Sequence, residues 1–389
     1  MGQMDRKAYL EAIRPRYRVA GRPEKKRILD EFCMICDYNR KYAIVLLNKR
    51  IAGHRKAKSG RRPTYDNQRF LEVLHRIWKT SDFMCSRRLT AIIPLWLPHY
   101  EKLYSPLDDE TRNLLLSVSH ATLDRLLKPL RLRHGKGLCG TKPGTLLRNQ
   151  IPIRTDSWDI DGPGFMEADT VAHCGTSLEG DFVWSLTMTD IHTGWTECRA
   201  VWNKGGLAVL QEVMDIERNL PFKLLEFDCD NGSEFLNHHF VRYFANRKSP
   251  VRFTRSRPYK KNDNAHVEQK NWTHPRHMLG YDRIDNPDLV AMINDVYANE
   301  WSMYQNYCCA SAKLLHKTKI NSKYKKIYDN PATPCQRLIE SGKIPDNIKN
   351  MLSQLQPTLN PFKLKNTIER KLKLIFNHIR VRSNLRQRI

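Results

Sequence analysis

Along the first 50 residues, apolar positions recur at helical spacing. Leu29, Phe32, Cys33 and Cys36 fall at i, i+3, i+4 and i+7, one stripe on a helix that Pro23 can open. Asp37–Tyr38–Asn39 interrupts the stripe, and Ala43, Leu46 and Leu47 resume it. Two short amphipathic helices about a tight turn predict a helix-turn-helix, whose second helix would offer Asn39, Arg40 and Lys41 to DNA. An ordinary helical hairpin carries the same stripes. A second helical set follows. Phe70, Leu71, Leu74, Ile77 and Trp78 mark one helix, Leu114–Leu116 with Val118 another, and Ser119 caps a third that buries Leu123, Leu126, Leu127 and Leu130. The break at Val118–Ser119 fits a further helix-turn-helix, presenting Thr122, Asp124 and Arg125.

From about Ile151 the period changes from helical to two. Phe182, Trp184, Leu186 and Met188 alternate with Val183, Ser185, Thr187 and Thr189, as a half-buried strand requires. His192–Thr193–Gly194 predicts a hairpin turn into a strand over Trp195–Trp202. A helix over 205–219, a strand over 223–230, a helix over 237–246, a short strand over 251–256 and a helix beginning at Asn264 complete an α/β pattern. The last stretch is mainly helical, punctuated by Pro331, Pro334, Pro357 and Pro361. The predicted chain is multi-domain. A helix-turn-helix region (1–50), a basic linker (51–63), a second helix-turn-helix region (64–130) and a glycine-rich basic linker (131–150) precede the α/β region (151–290). A basic C-terminal region (291–389) for DNA binding or assembly closes it.

Charge divides along the same lines. The 389 residues hold 66 Lys+Arg against 41 Asp+Glu, a formal +25. Residues 1–150 carry +18 and residues 301–389 carry +14, whereas residues 151–250 carry −8. Basic flanks around an acidic centre point to a polyanionic partner, since Lys and Arg that neutralise phosphates release condensed counterions. Apolar runs such as Ala43–Leu47 are far shorter than the roughly 18 residues that a membrane span needs, and the N-terminus has no apolar leader. The expectation is a soluble cytoplasmic, nucleoid-associated protein with reduced cysteines. Cys33 and Cys36 have zinc-ligand spacing but lie on the apolar stripe, so they read as core and no zinc is expected.

Three central acids carry the candidate chemistry. Asp169 lies in the apolar-flanked run Phe165–Val171. Asp230 ends a strand and is followed by the turn signal Asn231–Gly232. Glu268 lies on the helix that begins at Asn264, with Asn264, Asn271 and Trp272 as its helical neighbours. If the three converge, their oxygens suit hard divalent cations. Asp228 shares a strand face with Asp230 and is its rival.

The segments Glu167–Ala168–Asp169–Thr170, Asp230–Asn231–Gly232–Ser233–Glu234–Phe235 and Asn264–Ala265–His266–Val267–Glu268–Gln269–Lys270–Asn271–Trp272–Thr273 resemble the active-site signatures of the retroviral-integrase-like DDE superfamily. Within it, the chain resembles bacterial insertion-sequence transposases. The likeness is close over about 150–290 and looser elsewhere. It implies an RNase H-like fold in which Asp169, Asp230 and Glu268 are catalytic and hold two Mg²⁺ ions, with Mn²⁺ as a substitute. The implied chemistry is cleavage at transposon ends and strand transfer into target DNA by a homo-oligomer on double-stranded DNA. Arg252, Arg255, Arg257, Lys260 and Lys261, between the second and third acids, would hold phosphates. The rivals are a non-catalytic DNA-binding regulator or inactivated transposase, and a nuclease of the same fold that cuts without joining. Thirty-seven residues separate Asp230 from Glu268, about two more than such integrases usually have, which a loop absorbs. Pro275 predicts a kink or stop in the third-acid helix after Trp272.

Overall fold

The computed structural model describes residues 3–48, 64–133, 160–230, 232–255, 265–320 and 323–386. The two basic linkers, apart from the first residues of the second, lie outside them, as do Arg257, Lys260 and Lys261. The chain forms two compact units, Met1–Pro63 and Thr64–Ile389.

The first unit comprises α1 (Gln3–Val19), α2 (Arg22–Cys36) and α3 (Arg40–Asn48). Pro23 occupies the first turn of α2, where its missing N–H has no partner to lose. Asp37, in the left-handed conformation at φ 54°, ends that helix. Phe32, Cys36, Ala43 and Leu47 are fully buried together with Ile13, Tyr17, Ile28 and Leu29, one small core for three helices. The two stripes read from the sequence therefore face each other and α1.

In the second unit the helices α4 (Gln68–Thr80), α5 (Ser86–Leu103), α6 (Asp109–Ser117) and α7 (His120–Arg133) do not build a core of their own. Phe70, Trp78, Trp96 and Leu123 join one hydrophobic cluster with the sheet and the C-terminal helices. Trp96 donates its indole N–H to the Cys308 carbonyl at 3.0 Å and meets Phe362 edge-on. Ser119 caps α7 by accepting from the Thr122 N–H at 3.2 Å.

The sheet has the order β3-β2-β1-β4-β5. Here β1 is Phe165–Ala172, β2 Val183–Asp190, β3 Thr196–Trp202, β4 Glu226–Cys229 and β5 Arg252–Arg255. β1 runs antiparallel to β2 and β2 to β3, while β4 and β5 run parallel to β1. The β2–β3 turn forms at the expected place. Gly194 takes φ +75°, and the buried Asp190 carboxylate accepts from the Thr193 N–H and hydroxyl and from the Gly164 N–H. Two helices, α8 (Gly206–Asn219) and α9 (His238–Ala245), flank β4 in sequence. The helix α10 (Ala265–Asn271) packs on β1 and β2. The regular α-helix ends at Asn271, just before the segment that holds Pro275. A π-helical turn, Trp272–Arg276, contains the proline, and the chain continues helically over His277–Leu279.

Beyond the sheet come the helix Leu289–Val296, two π-helical turns, and the helices Pro334–Glu340, Asp346–Leu355 and Pro361–Arg386. A hairpin, Leu314–Ile320 with Lys323–Tyr328, interrupts the helices. It was not expected, because its lysines and exposed apolar residues give no clear one-sided alternation. No described helix is long and apolar enough to cross a membrane.

Candidate active site

Strand alternation decides which acids can meet. On β1, Glu167 and Asp169 share one face while Met166 and Ala168 enter the core opposite. Glu167 pairs in register with Asp228 of β4, and Asp228 with Thr254 of β5, so these side chains lie along the same face. Asp230 follows β4 directly and returns to that face two residues after Asp228. The helix α10 covers it and carries Glu268, which is exposed. Ligands in open α/β sheets collect at the carboxyl ends of such strands.

The charges of Asp230 and Glu268 reach the carboxyl of Asp169. Burial pushes it up to about 7, and the negative charges of Asp230 and Glu268 push in the same direction. The Thr170 N–H at 2.7 Å and the Asn271 amide at 2.6 Å oppose this by stabilising the ionised form. Asp230 is also raised, by burial and then by the charge of Glu234. Its Oδ1 accepts from the Gly232 N–H at 2.9 Å, which closes the turn after β4. A Cβ at Gly232 would lie 2.5 Å from the Glu234 carboxylate, which would have to move aside. Asp228 accepts a 2.6 Å hydrogen bond from Thr254.

Four further residues frame the acids, and the sequence reading gave none of them a site role. Glu167 is 1% exposed, and burial pushes its carboxyl up to about 8. Its Oε2 accepts from the backbone N–H groups of His266 and Val267, at 3.0 and 2.9 Å, in the first turn of α10. Asn271, at the other end of α10, donates to Asp169. Glu234 accepts from the Thr170 hydroxyl at 3.0 Å and is paired with Lys204 at 3.5 Å. The loop after β4 is thus tied to the strand that holds the first acid. Spacing offered a clue to Glu167, which lies two residues before Asp169 on one strand face. The partners of Glu167 are 99 and 100 residues away, beyond any local pattern.

Among the proposed DNA contacts, Asn39 accepts from the Lys41 N–H at 3.0 Å at the start of α3. Arg40 pairs with Asp30 of α2, and Lys41 is exposed. Arg125 is exposed on α7, with its guanidinium 3.1 Å from the Thr122 hydroxyl. Arg255 ends β5 and pairs in register with Cys229, the residue before Asp230. Its side chain thus starts from the face of Cys229 and Ala168, opposite the one that bears Glu167, Asp169 and Asp228. His238 and His239 sit exposed on α9, and the described cysteines are all free thiols.

Three carboxylates offer only oxygen, the donor that hard divalent cations take. Among the described residues, no three His, Cys, Asp or Glu side chains stand around one cation position. Asp169, Asp230 and Glu268 are thus not gathered around one point in this arrangement, and Asp169 is held by the Asn271 amide. In kind, the donors fit such an ion, and the mutual repulsion felt at Asp169 is what a cation would relieve.

No family model matches the chain. The protein y4rM of Sinorhizobium fredii (strain NBRC 101917 / NGR234), described as uncharacterized, is 37% identical over 332 residues, 84% of this chain and 93% of its own. The HTLV-2 integrase catalytic core domain in complex with magnesium is 15% identical with a TM-score of 0.28, covering 39% of this chain and 91% of that one. The catalytic core of BIV integrase gives the same identity and TM-score over 46% and 97%. A likeness this slight bears no weight for the chemistry.

Proposed function

We propose that this chain, which belongs to the same family as the Sinorhizobium fredii protein y4rM, is a DDE transposase. It cleaves DNA at the ends of a mobile element and joins those ends to target DNA. The observation that carries the reading is geometric: β1 and the end of β4 bring Asp169 and Asp230 to one sheet face, the helix of Glu268 packs on β1, and the charges of those other two acids both reach the Asp169 carboxyl. Residues 151–290 form the RNase H-like catalytic region in this reading, and the basic regions on either side hold DNA. The active form is a homo-oligomer assembled on the DNA ends.

Asp169, Asp230 and Glu268 would hold two Mg²⁺ ions, with Mn²⁺ as a substitute. Bound there, such ions activate an attacking oxygen and stabilise the leaving one. The remaining work belongs to the chain. Asn271 orients the Asp169 carboxylate, and the Asp230 turn is fixed by Gly232. The Thr170–Glu234 bond keeps the β4 loop against β1. Arg255, with Arg257, Lys260 and Lys261, grips phosphates along the stretch between the second and third acids, while Asn39, Arg40, Lys41 and Arg125 serve the helical DNA-binding surfaces.

The test uses purified protein, Mg²⁺ and labelled DNA taken from the borders of the coding element. Nicked ends and ends joined to a target are the expected products. Asp169→Ala, Asp230→Ala and Glu268→Ala should each lower both by about 10³-fold or more, as for residues acting as a unit, without loss of DNA binding. Asp228→Ala should leave both steps largely intact. Cleavage without joining would make the protein a nuclease of this fold, and binding alone would make it a regulator.

A further inference from the structure

The helix α10 is short, seven residues, and it bears the third acid on an exposed face. The chain runs on helically from α10 to Leu279, but the first turn of α10 opens with N–H groups that have no intrahelical partner. Something must hold it in place against β1. Three hydrogen bonds to the strand of the first acid do so, beside the buried Val267 and the Lys270 ammonium on the Gly194 carbonyl. At the C-terminal end, the Asn271 amide donates to Asp169 Oδ2 at 2.6 Å. At the N-terminal end, Glu167 Oε2 accepts from both His266 and Val267. These N–H groups belong to the first turn, which has no intrahelical acceptors. Glu167 therefore caps α10 from another element, and a fully buried acceptor has no water to replace it.

We infer that Glu167 is the positioning residue of the site. Its carboxylate fixes the start of α10 on β1, and so sets where Glu268 stands relative to Asp169. This rests on the proposed DDE chemistry for its kinetic consequence, but the cap itself does not. Glu167 touches no reacting group in this account. What it contributes is an acceptor at a fixed point, so an amide oxygen in the same place should do nearly as well.

The experiment compares Glu167→Gln, which keeps an acceptor oxygen, with Glu167→Ala, which removes it. Cleavage is measured against Mg²⁺ concentration, DNA affinity separately in EDTA, and amide hydrogen exchange at His266 and Val267 on the same proteins. Glu167→Ala should expose both amides to exchange, lower the maximal cleavage rate about 10–100-fold and raise the Mg²⁺ needed for half-maximal rate, the cost usual for groups that orient metal ligands. DNA affinity should not change. Glu167→Gln should keep both amides protected and cleave within about threefold of the parent protein. If Glu167→Gln is as slow as Glu167→Ala while its amides stay protected, the charge matters rather than the cap, and the inference falls. Full activity in Glu167→Ala also overturns it. Should Glu167→Ala not fold, Glu167→Asp, one methylene too short to reach both amides, replaces it, and parent-like cleavage then overturns the inference. If the parent protein cuts no DNA at all, the transposase reading fails by itself. Amide exchange still decides the cap.

Discussion

The N-terminal three-helix unit and the acid-bearing sheet solve opposite problems. In the first, the buried cluster is Ile13, Tyr17, Ile28, Leu29, Phe32, Cys36, Ala43 and Leu47, without a charged member. Its Arg40–Asp30 ion pair is half exposed on both sides, where such pairs contribute little. In the sheet, Glu167, Asp190, Glu197, Arg199 and Glu234 are all buried. Burying a charge is costly unless hydrogen bonds and partners compensate. Glu197 is met by the Trp195 indole and the Ser302 hydroxyl, Asp190 by the Thr193 turn, and Glu234 by Thr170. The first region uses its interior only to fold. The second retains polar groups that folding alone disfavours, and those nearest β1 surround the three candidate acids.

The largest effect on stability should separate the two regions. Phe32→Ala, which empties the middle of the small core, should cost about 3–5 kcal/mol. In calorimetry it should abolish the transition of the first unit and leave that of Thr64–Ile389 unchanged. A shift of both together would mean that the units fold as one.

A smaller effect concerns the acids. The folded Asp169 carboxyl is raised to about 7 from an ordinary 3.8, so between those values the folded chain holds a proton that the unfolded chain has released. Stability from this group is therefore fullest below about pH 4 and declines as pH rises toward 7. Glu167, raised to about 8, extends the decline. Without metal, Asp169→Asn should stabilise the protein on the order of 2 kcal/mol at pH 8 and not at all at pH 4, read from denaturant midpoints. Added Mg²⁺ should raise the parent's melting temperature more at pH 8 than at pH 5. Equal gains at both pH values would detach the acids from metal binding.

Thr170→Val should cost about 1 kcal/mol by leaving Glu234 short of a donor. It should slow cleavage more than it weakens DNA binding. The smallest effect is expected on the helical surface. Arg125→Ala removes only an exposed contact within α7, so stability should change by less than about 0.5 kcal/mol. DNA affinity should nevertheless fall, with a shallower salt dependence. An unchanged salt dependence would remove Arg125 from the DNA surface.

What was legible in the sequence was mostly local. The run Phe182–Thr189 marked β2, though not its burial, since Ser185, Thr187 and Thr189 on the expected solvent side are buried; Asp230 before Asn231–Gly232 marked a strand exit, and Ser119 marked the start of α7. Periodicity also found the faces of α4 and α7, but not what covers them. The two helical sets look alike as patterns. One closes on itself, while the other joins the sheet through contacts such as Trp96 with Cys308 and Phe362, more than 200 residues away. The site divides the same way. Its three acids stand in local motifs, whereas the Glu167 cap and the Thr170–Glu234 tie depend on elements brought together only by the fold. Pro275 marked the break after Trp272, which the fold takes up as a π-helical turn before the chain resumes helically.

The central claim is that Asp169, Asp230 and Glu268 make one cation site. Crystals grown or soaked with Mn²⁺ and measured at its absorption edge test it most directly. The account predicts anomalous peaks held by those three carboxylates, lost in Asp169→Ala. Peaks bound by Asp228 in place of Asp230, or none near β1, would contradict it.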